Sequence, residues 1–72
     1  MNIRVTRYVV SPKVKLFRYD VIVYDNPRPL TGTQEAIEYC RVLSRRQAQC
    51  HVNAFRRMYR LTSKNVSWRN AK

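Results

Sequence analysis

Glu35-Ala36-Ile37-Glu38-Tyr39-Cys40-Arg41-Val42-Leu43 decides the fold of this 72-residue chain, because the segment reads in two ways. As a strand it sets Ile37, Tyr39, Arg41 and Leu43 on one face and Glu38, Cys40 and Val42 on the other, with residue types that favour an extended backbone. As a helix it takes Thr33 as its N-cap and Glu35 in its first turn, and Ala36, Ile37, Cys40 and Leu43 extend the apolar stripe of the segment that follows. The helical reading yields one helix of about thirty residues, far above the mean for globular domains. It also strands Val42 on the polar side and leaves Ser44, a good capping residue, inside a helix. The strand reading, over about 36–43, is favoured.

Downstream, Ser44-Arg45-Arg46-Gln47 has the form of a capping box, with the serine hydroxyl on the N3 amide and Gln47 reaching back. A helix is predicted over about 45–61. At about 100° per residue, Ala48, Cys50, His51, Val52, Ala54, Phe55, Met58, Tyr59 and Leu61 fill one arc, while Arg45, Arg46, Gln49, Asn53, Arg56, Arg57 and Arg60 fill the rest. Upstream, two β-rich runs at about 3–10 and 15–24 flank Ser11-Pro12-Lys13, where proline fixes φ and offers no ladder N–H. Phe17, Tyr19, Val21 and Val23 are expected against the helix. Arg4, Thr6, Tyr8, Arg18, Ile22 and Tyr24, with either Tyr39 or Arg41, are expected on the outer face. Asp25–Thr33 holds two of the three prolines and the only glycine and reads as a loop. Residues 62–72 read as a tail, unless Val66 and Trp68 dock as a short edge strand. The fold class expected is α+β in a single domain over 1–72: a small antiparallel three-stranded sheet, or a two-stranded hairpin, followed by one long amphipathic C-terminal helix.

Fifteen Lys and Arg oppose four Asp and Glu, for a formal net charge of +11. All four acids, Asp20, Asp25, Glu35 and Glu38, lie between residues 19 and 38, so the segments on either side are basic without exception. Most of the bases are arginine, whose planar fork matches phosphate oxygens and stacks on bases, which lysine does not do. A domain this positive repels itself, and a polyanionic partner relieves that repulsion. The apolar content, 44%, is too high for a disordered basic tail. No apolar run approaches membrane-spanning length, and two cysteines without a secretory signal point to reduced thiols and a cytoplasmic setting.

Catalytic chemistry is hard to place in this chain. His51 is the sole histidine and falls inside the apolar arc, where a packed role is the ordinary one. Cys40 and Cys50 lack zinc-ligand spacing and read as small core residues, and a single glycine excludes a phosphate-cradling glycine loop. The expectation is a non-enzyme that needs no metal and no cofactor.

What remains is a binding surface. On the helix, Arg45, Arg46, Arg56, Arg57 and Arg60 are the expected phosphate contacts, with Gln49 and Asn53 as candidate base readers. Arg4, Arg18 and Arg41 add to the field from the sheet. Leu43-Ser44-Arg45-Arg46-Gln47-Ala48 resembles the strand-to-helix junction of double-stranded RNA-binding domains, where a serine and paired bases open a helix that grips phosphates. That resemblance implies phosphate contacts at Arg45 and Arg46, although the family's glycine-rich strand has no counterpart here. A three-stranded sheet with a C-terminal helix is also similar to arm-site domains of tyrosine recombinases and to plant domains that insert a sheet into the major groove. The partner expected is nucleic acid, duplex DNA ahead of RNA, bound by a small regulator or accessory factor. The alternative is a protein-binding inhibitor or adaptor, of the kind a phage or plasmid encodes, that docks its basic face on an acidic groove. A membrane partner is not expected, and the broad apolar arc is compatible with a homodimer.

Overall fold

The computed structural model describes residues 1–25 and 36–71. Its elements in chain order are β1 (Asn2–Ser11), β2 (Leu16–Tyr24), β3 (Ala36–Val42), α1 (Arg45–Tyr59), a short 3-10 turn (Ser63–Asn65) and β4 (Val66–Asn70). The deciding segment is therefore a strand. It pairs antiparallel with β2 in the register Val21 to Cys40 and Ile22 to Tyr39, with an irregularity beside Tyr24. β1 and β2 form the expected antiparallel hairpin, Val5 opposite Val21 and Thr6 opposite Asp20. The loop predicted over Asp25–Thr33 falls, from Asn26 onward, outside the described residues.

The expectation of an antiparallel three-stranded sheet closed by a C-terminal helix is overturned. The sheet is four-stranded and mixed, in the order β3-β2-β1-β4, and a strand follows the helix. β4 runs parallel to β1, with Ile3 beside Val66 and Val5 beside Trp68. Parallel strands cannot be joined by a tight turn, and α1 is the long crossover that carries the chain from the β3 edge to the β4 edge. Of the two readings of residues 62–72, the edge strand is the one formed. The likeness to three-strand-plus-helix DNA-binding domains does not survive this extra strand.

Helix α1 starts as its cap dictates. Ser44 is extended (φ −133°), and its Oγ accepts from the Gln47 N–H at 3.1 Å. Only that half of the predicted capping box is present among the described residues, and the Gln47 side chain lies in solvent. The helix ends at Tyr59, short of the expected Leu61. Arg60 turns left-handed (φ 56°, ψ 47°), and the Leu61 N–H closes onto the Arg56 carbonyl at 2.8 Å.

The core is one layer between sheet and helix: Ile3, Val5, Tyr19, Val21 and Val23 from the sheet, Ala48, Val52 and Phe55 from α1. Alternation places these sheet residues on one side, as predicted for β2. The helix departs from expectation in its rotation. Cys50, Ala54 and Met58, assigned to the packed arc, are exposed, and the buried line has turned toward the arginine side, where Arg56 is half-buried. Long arginine stems cover apolar surface while their heads reach water, so the basic edge can lie closer to the sheet than the weakly apolar Cys-Ala-Met edge. His51 stacks on Phe55 (centroids 6.2 Å apart), as a packed histidine would. Among the described residues no helix is long and apolar enough to cross a membrane.

Candidate nucleic-acid interface

Two basic surfaces lie on opposite sides of the sheet. The first is the open face, away from α1. Register brings Arg4, Thr6, Tyr8, Arg18, Asp20, Ile22 and Tyr24 to it from β1 and β2, and both Tyr39 and Arg41 from β3, where only one of the two was expected. Its centre is Asp20, 5% exposed although it sits on the side without a helix. Tyr39 donates its hydroxyl to Asp20 Oδ2 at 3.0 Å, and Arg41 Nε donates to Oδ1 at 3.3 Å. Arg18 Nε stands 3.3 Å from the same Oδ1 as an ion pair, without the alignment of a hydrogen bond. Arg41 also donates to the Tyr39 hydroxyl at 2.9 Å. These contacts hold the Arg41 guanidinium above its ordinary pKa, Tyr39 contributing most and Asp20 less.

Aromatic rings take up the rest of this face. Arg18 lies over Tyr8 (4.3 Å to the ring centroid), Arg4 over Tyr24 (5.5 Å) and Arg41 over Tyr39 (5.9 Å). Arg18 and Arg41, counted above as part of a free positive field, are thus engaged by the chain's own carboxylate. Arg4 has a ring and no carboxylate among the described residues.

The second surface is the flank of α1. Arg45, Gln49 and Arg56 lie on the side nearest β4, Arg46, Asn53 and Arg57 turn further outward, and none of these arginines has an ion pair among the described residues. Gln49 Nε2 donates to Asn53 Oδ1 at 2.9 Å, so the two candidate base readers form one amide pair that leaves the Gln49 oxygen free to accept and the Asn53 nitrogen free to donate. Arg60 stands at the left-handed cap rather than in the helix. Asn53, Arg56, Arg57 and Leu61 border an open cleft of about 310 Å³, and Arg56 Nε is buried without a hydrogen-bond partner. On the other edge of α1, Tyr59 donates to Glu38 Oε1 at 3.1 Å, and desolvation, followed by this bond, raises the phenol above its ordinary pKa.

Sequence reasoning missed Arg7 and Asn70, which the fold brings to this side, and offered Trp68 only as part of an alternative edge strand. Arg45 lies over the Trp68 ring (4.9 Å), and the two share a cleft of about 210 Å³ with Arg7, Tyr19, Arg69 and Asn70. Arg7 was legible: it alternates with Ile3 and Val5, which places an arginine on the core side of a strand. Asn70 was not, because it enters only through the pairing of β4 with β1, a pairing that sets Arg69 beside Thr6 on the open face.

Comparisons with protein-family models, with curated proteins and with solved structures find no match to this chain.

Proposed function

We propose that the chain is a non-enzymatic nucleic-acid-binding protein that takes duplex DNA along the flank of α1. Arg45, Arg46, Arg56, Arg57 and the capping Arg60 contact phosphates, and the Gln49–Asn53 amide pair faces base edges. One contrast carries this reading. Where the chain supplies a carboxylate, at Asp20, two arginines converge on it, yet the arginines of α1 have none among the described residues. Clustered like charges without counter-ions repel one another, and a line of phosphates removes that cost. Arg56 and Arg57 also favour the last turn of a helix through its dipole, but Arg45 and Arg46 stand at the opposite end, where the same dipole opposes them. From Arg46 to Arg57 the row rises about 16 Å, enough to meet both walls of a major groove about 12 Å wide.

The test is a titration of a duplex oligonucleotide at two or more salt concentrations. Contacts to about five phosphates give a slope of log affinity against log salt of about −4.5. No binding at low salt, or an affinity indifferent to salt, ends the proposal. Stoichiometric capture of one acidic protein from nuclease-treated lysate, with no duplex binding, supports the inhibitor or adaptor reading instead.

A further inference from the structure

The four strands lie side by side only as far as the row Arg7, Tyr19, Val42 and Asn70. Past that row β1 and β2 run on alone as a two-stranded ribbon, residues 8–11 against 16–18, closed by the turn Pro12-Lys13-Val14-Lys15. At about 3.3 Å per residue the ribbon projects about 13 Å. A two-stranded ribbon has marginal stability by itself, and this one keeps apolar side chains in solvent. Val9 and Val10 are each 53% exposed, Val14 is 72% exposed and Leu16 40%. Val9 falls on the α1 side and Leu16 on the open side, so both faces of the ribbon are apolar. Its tip is cationic. Lys13 and Lys15 bracket Val14, and no acid precedes Asp20 in the chain. Lys15 turns left-handed (φ 51°), so the turn holds a cation where glycine would suit the backbone better. The ribbon leaves the sheet at the end where α1 begins, since Val42 stands in the last full row and Ser44 follows two residues later.

We infer that the ribbon is an apolar wedge for the minor groove of a duplex, an inference that rests on the nucleic-acid reading above. Lys13 and Lys15 meet the phosphates that wall the groove, while Val14 presses between two base pairs and bends the duplex. Exposed valines offer base edges no hydrogen bond, so the ribbon is not built to read a major groove, whereas parting a base step needs only apolar bulk. The order of charges disfavours a lipid bilayer as the partner. A segment that enters a membrane leads with apolar side chains and trails its cations at the headgroups. Here both lysines are at the tip beside Val14, and Val9, Val10 and Leu16 lie behind them. Arg45 and Arg46 start the α1 flank at the same end of the molecule, so one duplex engages both.

The experiment places donor and acceptor dyes on the two ends of an A·T-rich duplex of about 25 base pairs with central TA steps, which deform easily. Energy transfer and affinity are followed at fixed low salt with the intact chain and with Val14→Ser. Val14 is an exposed turn residue, so its replacement leaves the core untouched. The intact chain at saturation should raise energy transfer as the duplex ends approach. Val14→Ser should bind about threefold less tightly, because the straight duplex recovers part of the deformation cost, and should leave transfer at its free value. Netropsin, a minor-groove ligand, should abolish the bend. A duplex that binds without bending, or that bends equally with Val14→Ser or with the groove filled, overturns the wedge and leaves the flank reading standing. Failure of the intact chain to bind any duplex overturns the flank reading and the wedge with it. Binding to phosphatidylserine vesicles that Val14→Ser abolishes, beside a straight bound duplex, overturns the wedge and assigns the ribbon to a membrane surface. An intact chain that sediments as a dimer while Val14→Ser sediments as a monomer overturns it in favour of a second copy.

Discussion

Arginines on the open face of the sheet and arginines on the flank of α1 are the same residue in two electrostatic conditions. On the sheet, Arg18 and Arg41 share the buried Asp20, and Arg4, Arg18 and Arg41 each lie over a tyrosine ring. On the helix, Arg46 and Arg57 are exposed with no carboxylate near them among the described residues, and Arg56 keeps a buried nitrogen unsatisfied. The contrast teaches that net charge, +11 here, is a poor guide to a binding face. What marks such a face is charge that the fold leaves uncompensated. The sheet arginines hold their own surface together, and the helix arginines have no ion pair among the described residues.

The largest expected effect tests the structural half of the contrast. Asp20→Asn leaves Arg18 and Arg41 without their shared counter-ion and should destabilise the fold by about 3 kcal/mol, read by denaturant unfolding. Duplex affinity of the folded fraction should stay the same. Next, the double variant Arg56→Gln with Arg57→Gln should lower duplex affinity about thirtyfold, or ~2 kcal/mol, and reduce the salt slope by about 2. Its stability should change little. A large loss of stability there, with affinity intact, would reverse the roles assigned to the two faces.

Smaller still is Arg60→Gly. Glycine suits a φ of 56°, so this variant should gain about 0.5 kcal/mol in stability while losing about one unit of salt slope. A position better served by glycine that nonetheless holds a cation would then be explained by the partner rather than by the fold. The smallest effect lies at high pH, on the link between α1 and β3. The Tyr59 phenol has a raised pKa in the folded chain, so its contribution is complete below the ordinary value of 10.0 and fades as pH rises through the folded value. Tyr59→Phe should lose stability less steeply above pH 10 than the parent chain does.

Much of this architecture was readable from alternation. Val21 and Val23 against Arg18 and Asp20 fixed the two sides of β2, and Ser44 fixed where the helix begins. Two features were not settled by the sequence, for different reasons. The edge strand of Val66 and Trp68 stood only as the alternative to a tail, and its parallel pairing was not readable, because its partner β1 lies some sixty residues earlier, beyond any local pattern. The rotation of α1 was hidden because Cys50, Ala54 and Met58 score as apolar although they are exposed here, while arginine scores as polar although its stem packs. The same blindness concealed the cleft. Arg7 was legible on the core side of β1, but its meeting with Trp68 and Asn70 depends on a pairing that no window of sequence contains.

Pairing the earliest strand with the latest has a consequence for biosynthesis. Asn2 receives a hydrogen bond from Asn65, and Arg7 gains its β4 neighbour only once residue 70 has been added. A ribosome-bound chain that has emerged only as far as α1 already carries the helix arginines but has neither the Trp68 platform nor the completed sheet. Non-local closure of this kind is slow compared with forming a helix. A nascent chain therefore passes through a stage with its full cationic flank and an unfinished edge on β1, which closes only when Val66–Asn70 have been added.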